Sequence, residues 1–345
     1  MRTVLVVFVI ALLGPFAGPA GAASHISYDL TLPGIDLHPG VTADLHATVF
    51  VNRTHPCNGS VALAIHGLLH TAATWEPFVA SLFEDNPAGR KLCRVVALDM
   101  PGRGGSVVHN LPWFGAVTLD DYVAGALGAL GQLNGLNIRP SVIFGHSLGG
   151  LIVQLMQQRL ISEGTDLRSA FGVKDVVLLA SATPQQVPTW AIDSGMLNQL
   201  MGALVQVDPL AGTAQISDSD WAWLFFAPNP ADPLLVVPGA PTPADVAARH
   251  YNSPEPLAFL GVLMNRPGVD AGIFGTSHGT ALTVVSLEHD FLLMPDEASA
   301  LSAYLIGEDT AARTVLVPGF EAVHDTHVSN AALVLRSIAA ALRVP

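Results

Sequence analysis

Short apolar runs rich in Val, Leu and Ile recur along the chain, at Val61–Ile65, Val95–Leu98, Val142–Phe144, Val176–Ala180, Leu282–Ser286 and Thr314–Val317. Runs with no polar face suit strands of a sheet covered on both sides. Between them, apolar residues fall at helical spacing over about Trp75–Phe83, Asp120–Leu133, Leu148–Leu160, Ala298–Leu305 and Ser329–Leu342, with Pro254–Met264 a further candidate. Asp120 and Asp121 put negative charge at the positive end of the second helix. This alternation predicts an α/β fold, a mostly parallel central sheet with helices on both faces. Ahead of it, Ile26–Leu32 and Leu45–Val51 predict an opening antiparallel pair, punctuated by Pro33-Gly34 and Pro39-Gly40. The pattern breaks over residues 183–250, which are rich in Pro, Gly and Asp yet carry Trp190, Met196, Leu200, Met201, Trp221, Trp223, Phe225 and Phe226. The expected organisation is a core in two parts, 24–182 and 251–345, with an insertion between them.

Composition changes the reading at the N-terminus. The chain is 50% hydrophobic and 12% charged, and part of the excess lies in Arg2, the uncharged apolar run Thr3–Phe16 and the small-residue stretch Gly18–Ala23. That is the three-part layout of a secretory signal peptide, here residues 1–23, and it predicts a secreted or periplasmic protein. Pro15 and Pro19 cut the run short of the ~20 residues a membrane span needs, so no stable membrane insertion is expected after cleavage. Net charge is −13 and the 15 Lys and Arg residues form no basic run, which argues against a nucleic-acid partner. Cys57 and Cys93 each precede a strand-like run. If those strands are parallel neighbours, both sulfurs lie at one end of the sheet, and a disulfide is expected in an oxidising compartment over two separate thiols. Asn52 and Asn58 begin Asn-x-Ser/Thr sequons, acceptors for glycosylation where the host performs it.

The strongest chemical signal is Gly145-His146-Ser147-Leu148-Gly149, between the run Val142–Phe144 and a helical stretch. In G-x-S-x-G the serine sits on a sharp strand-to-helix turn, and the glycines let strand and helix approach closely. Ser147 is the candidate nucleophile. The N–H of Leu148, at the positive end of the helix, is a candidate donor to an oxyanion.

With three further landmarks the chain resembles the α/β-hydrolase fold family. His66-Gly67 ends the third strand, Asp99 with Pro101-Gly102, Gly104 and Ser106 follows the fourth, and an acid and a histidine come after the nucleophile turn. The resemblance spans nearly the whole chain after the leader except the insertion, which takes the position of the family's cap or lid. It implies the acid at Asp290, in Ser286-Leu287-Glu288-His289-Asp290 with Pro295 beyond, although Ser286 stands where a glycine is common; Glu288 is the rival carboxylate. It implies the base at His324, aligned without gaps into the last helix, with His327 the competitor. It also implies Leu68 N–H as the second oxyanion donor, and His66, His70, His146 and His289 as bracing or packing residues. His324, His327 and Asp325 are weak metal-ligand candidates.

These residues support a serine hydrolase for carboxylic esters of hydrophobic substrates, with a small hydrophobic ester entering under an apolar cap. Lactone, amide or thioester cleavage would use the same triad, and a ligand-binding protein on a hydrolase scaffold is a different class. No cofactor is implied, because Gly102–Gly105 lacks the G-x-G-x-x-G spacing of a dinucleotide site.

Overall fold

The computed structural model describes residues 24–54, 59–85, 92–229, 231–232, 235–257, 259, 266–307 and 314–339. The expected leader and Cys57 with its expected bridge to Cys93 lie outside them, as does Asn58. Cys93 itself is buried, and its sulfur accepts the Gly59 N–H at 2.9 Å.

The strands are β1 (His25–His38), β2 (Val41–Asn52), β3 (Ser60–Ile65), β4 (Leu92–Leu98), β5 (Val107–His109), β6 (Pro140–His146), β7 (Asp175–Leu179), β8 (Gln206–Asp208), β9 (Thr213–Gln215), β10 (Glu255–Pro256), β11 (Ala281–Leu287) and β12 (Thr314–Val317). The main sheet runs β1-β2-β4-β3-β6-β7-β11-β12, with β5 beside β2, and is parallel from β4 to β12. β1 and β2 form the antiparallel pair. β1 continues through Pro33-Gly34, where its register shifts between Leu32 and Ile35; only Pro39-Gly40 makes the turn. A bulge with Gly34 at positive φ, on an edge strand that can tolerate Pro, explains the difference.

Helices cover both faces. Leu119–Gly135, Leu148–Ser162 and Pro295–Ile306 pack on one side with Leu63, Ile65 and Ile143, whereas Glu76–Asp85 and Ala331–Ile338 pack on the other with Ala62, Ala64 and Phe144. Alternate residues of each strand thus serve two cores, as a two-sided sheet requires. Between β7 and β11 the short helices Trp190–Asp193, Met196–Leu204, Asp218–Phe226 and Pro243–Ala248 accompany the small antiparallel sheet β10-β9-β8. Their apolar residues, including Trp221, Leu224, Phe225 and Phe226, form a third cluster with Leu69, Phe291 and Val323 from the main domain. The helix anticipated from Pro254 does not begin there: Glu255 and Pro256 pair with β9, because Pro256 holds its neighbour extended. Residues 258 and 260–265 lie outside the described residues. Among the described residues no helix is long and apolar enough to cross a membrane.

One close approach fixes the geometry of the middle of the sheet. The helix after β6 starts against the end of β3, where a Cβ on Gly149 would lie 2.3 Å from the Ile65 carbonyl oxygen and 2.6 Å from that of His66. A Cβ on Gly145 would meet the Gly150 Cα at 2.8 Å. The obstructing atoms are backbone and cannot rotate away. Gly149→Ala therefore forces β3 and the helix apart and is expected to cost about 1–3 kcal/mol, seen as a lower urea midpoint at unchanged slope. An unaltered midpoint would contradict the close packing.

Candidate active site

The parallel strands deliver six loops to one edge of the sheet, following Ile65, Leu98, His146, Leu179, Leu287 and Val317. Ligand sites of open α/β sheets form at such carboxyl ends. Ser147 follows β6 at φ 51° and ψ −121°, a conformation costly for a residue with a Cβ. Three backbone bonds hold it there: its N–H to the Leu179 carbonyl at 3.0 Å, and its carbonyl to the N–H groups of Gly150 and Ala182, each at 2.9 Å. Although Ser147 occupies the N-cap position, its hydroxyl does not cap the helix.

His324 and Asp290 come from the loops after β12 and β11. His324 Nδ1 donates to Asp290 Oδ2 at 2.9 Å, while Asp290 Oδ1 accepts the N–H groups of Leu292 and Leu293 at 2.9 and 3.1 Å. His324 Nε2 is left without a hydrogen bond among the described residues. Burial alone would lower the His324 pKa. The charge and hydrogen bond of Asp290, with the Asp325 charge behind, outweigh burial and raise it. The Glu288 carboxylate turns away and accepts the Gly319 N–H.

Ser147 and His324 line one cavity of about 80 Å³, together with Leu68, Leu148, Ala182, Thr183 and a roof of Ile192, Leu197, Met201, Leu224 and Phe225. Phe225 stacks on His324 with ring centroids 5.7 Å apart. A more open hollow of about 450 Å³, around Asp36, His38, Arg159 and Glu163, brings no nucleophile to a base. Leu148 is the first residue of its helix, so its N–H has no intrahelical acceptor.

The other histidines brace this arrangement. His66 Nδ1 donates to the Gly67 carbonyl at 2.9 Å and its Nε2 accepts the Met100 N–H at 3.2 Å, a neutral ring whose pKa burial and the nearby Arg103 charge push down to about 3. His146 Nε2 donates to the His324 carbonyl at 3.1 Å, and His70 Nε2 lies 2.6 Å from Asp325 Oδ2. His327 is wholly buried, 5.0 Å from the Trp75 ring and 4.2 Å from that of His146, with neither ring nitrogen bonded among the described residues. Burial, then the His70 and His324 charges, hold its pKa well below the usual value. It faces the core beneath the site and not the cavity that holds Ser147.

His70, His146 and Asp325 bring metal-ligand atoms within 4.8 Å of one another. Their donor chemistry does not suit a cation: His146 Nε2 must carry a proton to reach a carbonyl, where a metal needs its lone pair.

The sequence does not mark Glu255, and it marks Asp325 only as a weak metal-ligand candidate. Glu255 stands alone between two prolines and reaches the site from 186 residues beyond the loop it binds. Asp325 looked subordinate to the two histidines that flank it.

Comparison with known proteins bears on the fold that carries this site. The chain is 28% identical over 165 residues to protein phosphatase methylesterase 1 of Bos taurus, a stretch covering 43% of this chain and 41% of that protein. The chain thus spans about two fifths of the length of that curated relative. Among solved structures it is similar to a bromoperoxidase from Bacillus anthracis (TM-score 0.57, 17% identity, covering 90% of this chain and 98% of that one). It is equally similar to naproxen esterase from Bacillus subtilis (TM-score 0.57, 16% identity, 92% and 91%). At such identities the structural likeness establishes the fold. A profile of the alpha/beta hydrolase family matches residues 62–327, from β3 through the loop that carries His324, and the chain belongs to that family.

Proposed function

We propose that the protein is a serine hydrolase that cleaves carboxylic esters of hydrophobic substrates through an acyl-enzyme. One observation carries the reading: Ser147 and His324 line one apolar cavity, His324 Nε2 has no hydrogen bond among the described residues, and Asp290 holds the opposite nitrogen at 2.9 Å. In this reading His324 Nε2 takes the Ser147 proton as Oγ attacks the ester carbonyl. The negative oxygen of the tetrahedral intermediate lies toward the N–H groups of Leu68 and Leu148. His324 then protonates the departing alcohol, and water releases the acid by the same steps. Asp290 keeps the proton on Nδ1 and stabilises the imidazolium that forms.

The segment between β7 and β11 acts as a cap in this reading, since Ile192, Leu197, Met201, Leu224 and Phe225 close the cavity over Ser147. Its apolar lining favours uncharged acyl groups, and its volume favours short ones. Methylesterase and esterase relatives are in keeping with ester chemistry. Export of the mature protein is also part of the proposal, supported by the composition of residues 1–23.

Ser147→Ala is expected to lower p-nitrophenyl ester turnover by about 10³-fold or more with the fold retained; undiminished turnover would overturn the assignment. His324→Ala should do the same. His327→Ala should retain most catalysis per active site while lowering stability, and the reverse pattern would transfer the role of base. The base works neutral, and its pKa is raised above 6.5, so kcat/KM should fall as pH drops through a point above 6.5. Asp290→Asn should move that limb to lower pH; a pH-independent rate between pH 5 and 8 would contradict a histidine base. Across a chain-length series, kcat/KM should be higher for acetate and butyrate esters than for palmitate, and a preference for palmitate would show that the cavity is not the acyl site.

A further inference from the structure

The loop His66–Thr71, which follows β3, is held peptide by peptide. A trans peptide is planar, so its C=O and N–H point in opposite directions and fixing one aims the other. His66 fixes the Gly67 carbonyl, which belongs to the same peptide as the Leu68 N–H. The next peptide is gripped at both ends. The Leu68 carbonyl accepts from His70 Nδ1, and His70 is anchored in turn by Asp325, the residue after the candidate base. The Leu69 N–H donates to Glu255 Oε1 at 2.7 Å. The Leu69 carbonyl then accepts from Trp221 Nε1 at 2.9 Å and from the Ser253 N–H at 3.3 Å.

Leu69 has φ 59°, a left-handed conformation unfavourable for leucine. Such a conformation persists when its surroundings over-determine it. Glu255 is itself locked, wholly buried between the Arg103 guanidinium and the Tyr122 hydroxyl, the latter at 3.2 Å. Arg103 also donates to the His70 carbonyl at 2.8 Å. Glu255, Ser253 and Trp221 all belong to the segment that supplies the roof of the cavity. A buried ion pair is a poor source of net stability, but losing either partner leaves an uncompensated buried charge, so the two groups stay together.

We propose that Glu255 and Asp325 are positioning residues of the oxyanion hole: Glu255 directly and Asp325 through His70 clamp the Leu68–Leu69 peptide from opposite sides, which fixes the chain beyond the Leu68 Cα and so keeps the preceding peptide, held by His66, with its Leu68 N–H turned to the cavity. The inference rests on the serine-hydrolase reading above. Neither carboxylate touches the substrate. Their effect is exerted on a transition-state contact, which alters kcat and leaves ground-state binding alone.

The test compares two double variants, Arg103→Met/Glu255→Gln and Arg103→Met/Glu255→Met. Both remove the buried charges, and they differ in whether the Leu69 N–H keeps an acceptor. Turnover of p-nitrophenyl butyrate is measured per active site titrated by the p-nitrophenol burst, which cancels any loss of folded protein. The Gln variant is expected to retain kcat within about threefold of wild type, and the Met variant to lose about tenfold or more at unchanged KM. The Met variant should also lose a similar factor in affinity for a trifluoromethyl ketone, whose serine adduct carries an oxyanion. Asp325→Leu, which is close in shape but offers no acceptor to His70 Nε2, provides a second arm: kcat and ketone affinity should fall together while KM stays. Equal kcat per active site in the two double variants, with Asp325→Leu at the wild-type value, would overturn the clamp while leaving the hydrolase intact. A wild type with neither burst nor turnover on any ester of the series would overturn the hydrolase reading and the clamp with it.

Discussion

Everything at this site depends on how closely the helix after β6 approaches the end of β3. The approach is possible because Gly149 presents no Cβ to the Ile65 and His66 carbonyls, and it leaves Ser147 on a turn strained at φ 51°. The strain is held by backbone bonds to Leu179, Gly150 and Ala182, so it belongs to the sheet and not to a side chain that could rotate away. Two consequences follow. The Ser147 hydroxyl, which on an ordinary helix would cap its own N-terminus, is free for another partner. The loop after β3 is brought beside the first turn of the helix, so Leu68 and Leu148, from different elements, line one cavity with Ser147.

Around that fixed point the polar groups are arranged in layers. Asp290 and His324 form the first, with one ring nitrogen bonded and the other without a partner among the described residues. Behind them His146 holds the His324 carbonyl, and the His70 and Asp325 pair connects the loop of the base to the loop after β3. Beneath lies the Arg103, Glu255 and Tyr122 group. Buried polar groups without partners are costly, and a network this far from water is rigid where its members satisfy one another. Rigidity is what stabilising a short-lived oxyanion demands, because donors already in place need no reorganisation as charge develops.

The sequence was legible where a motif is a steric requirement. The glycines around Ser147 and the apolar runs of β3, β4, β6, β7, β11 and β12 each follow from local geometry, the segment from Ser286 to Pro295 was readable only through its resemblance to the family, and the observed sheet order places them at one edge. Two expectations failed for local reasons: Pro33-Gly34 is accommodated as an edge-strand bulge, and Pro254–Pro256 favours extended chain over a helix. What could not be read was contact between distant, unpatterned residues. Glu255 lies in no periodic element, and only the packing of its segment against the loop after β3 gives it a partner. The difference in depth between His324 and His327 was likewise not legible: three residues apart, one lines the cavity and the other faces the Trp75 ring.

The most direct test of the central claim is covalent. The protein is treated with an aryl phosphate triester such as diethyl p-nitrophenyl phosphate, and the adduct is mapped by peptide mass spectrometry. The account predicts one diethylphosphoryl group, on Ser147, formed with matching loss of esterase activity and absent from Ser147→Ala. Modification of folded protein at another residue, or none while ester turnover persists, would contradict it.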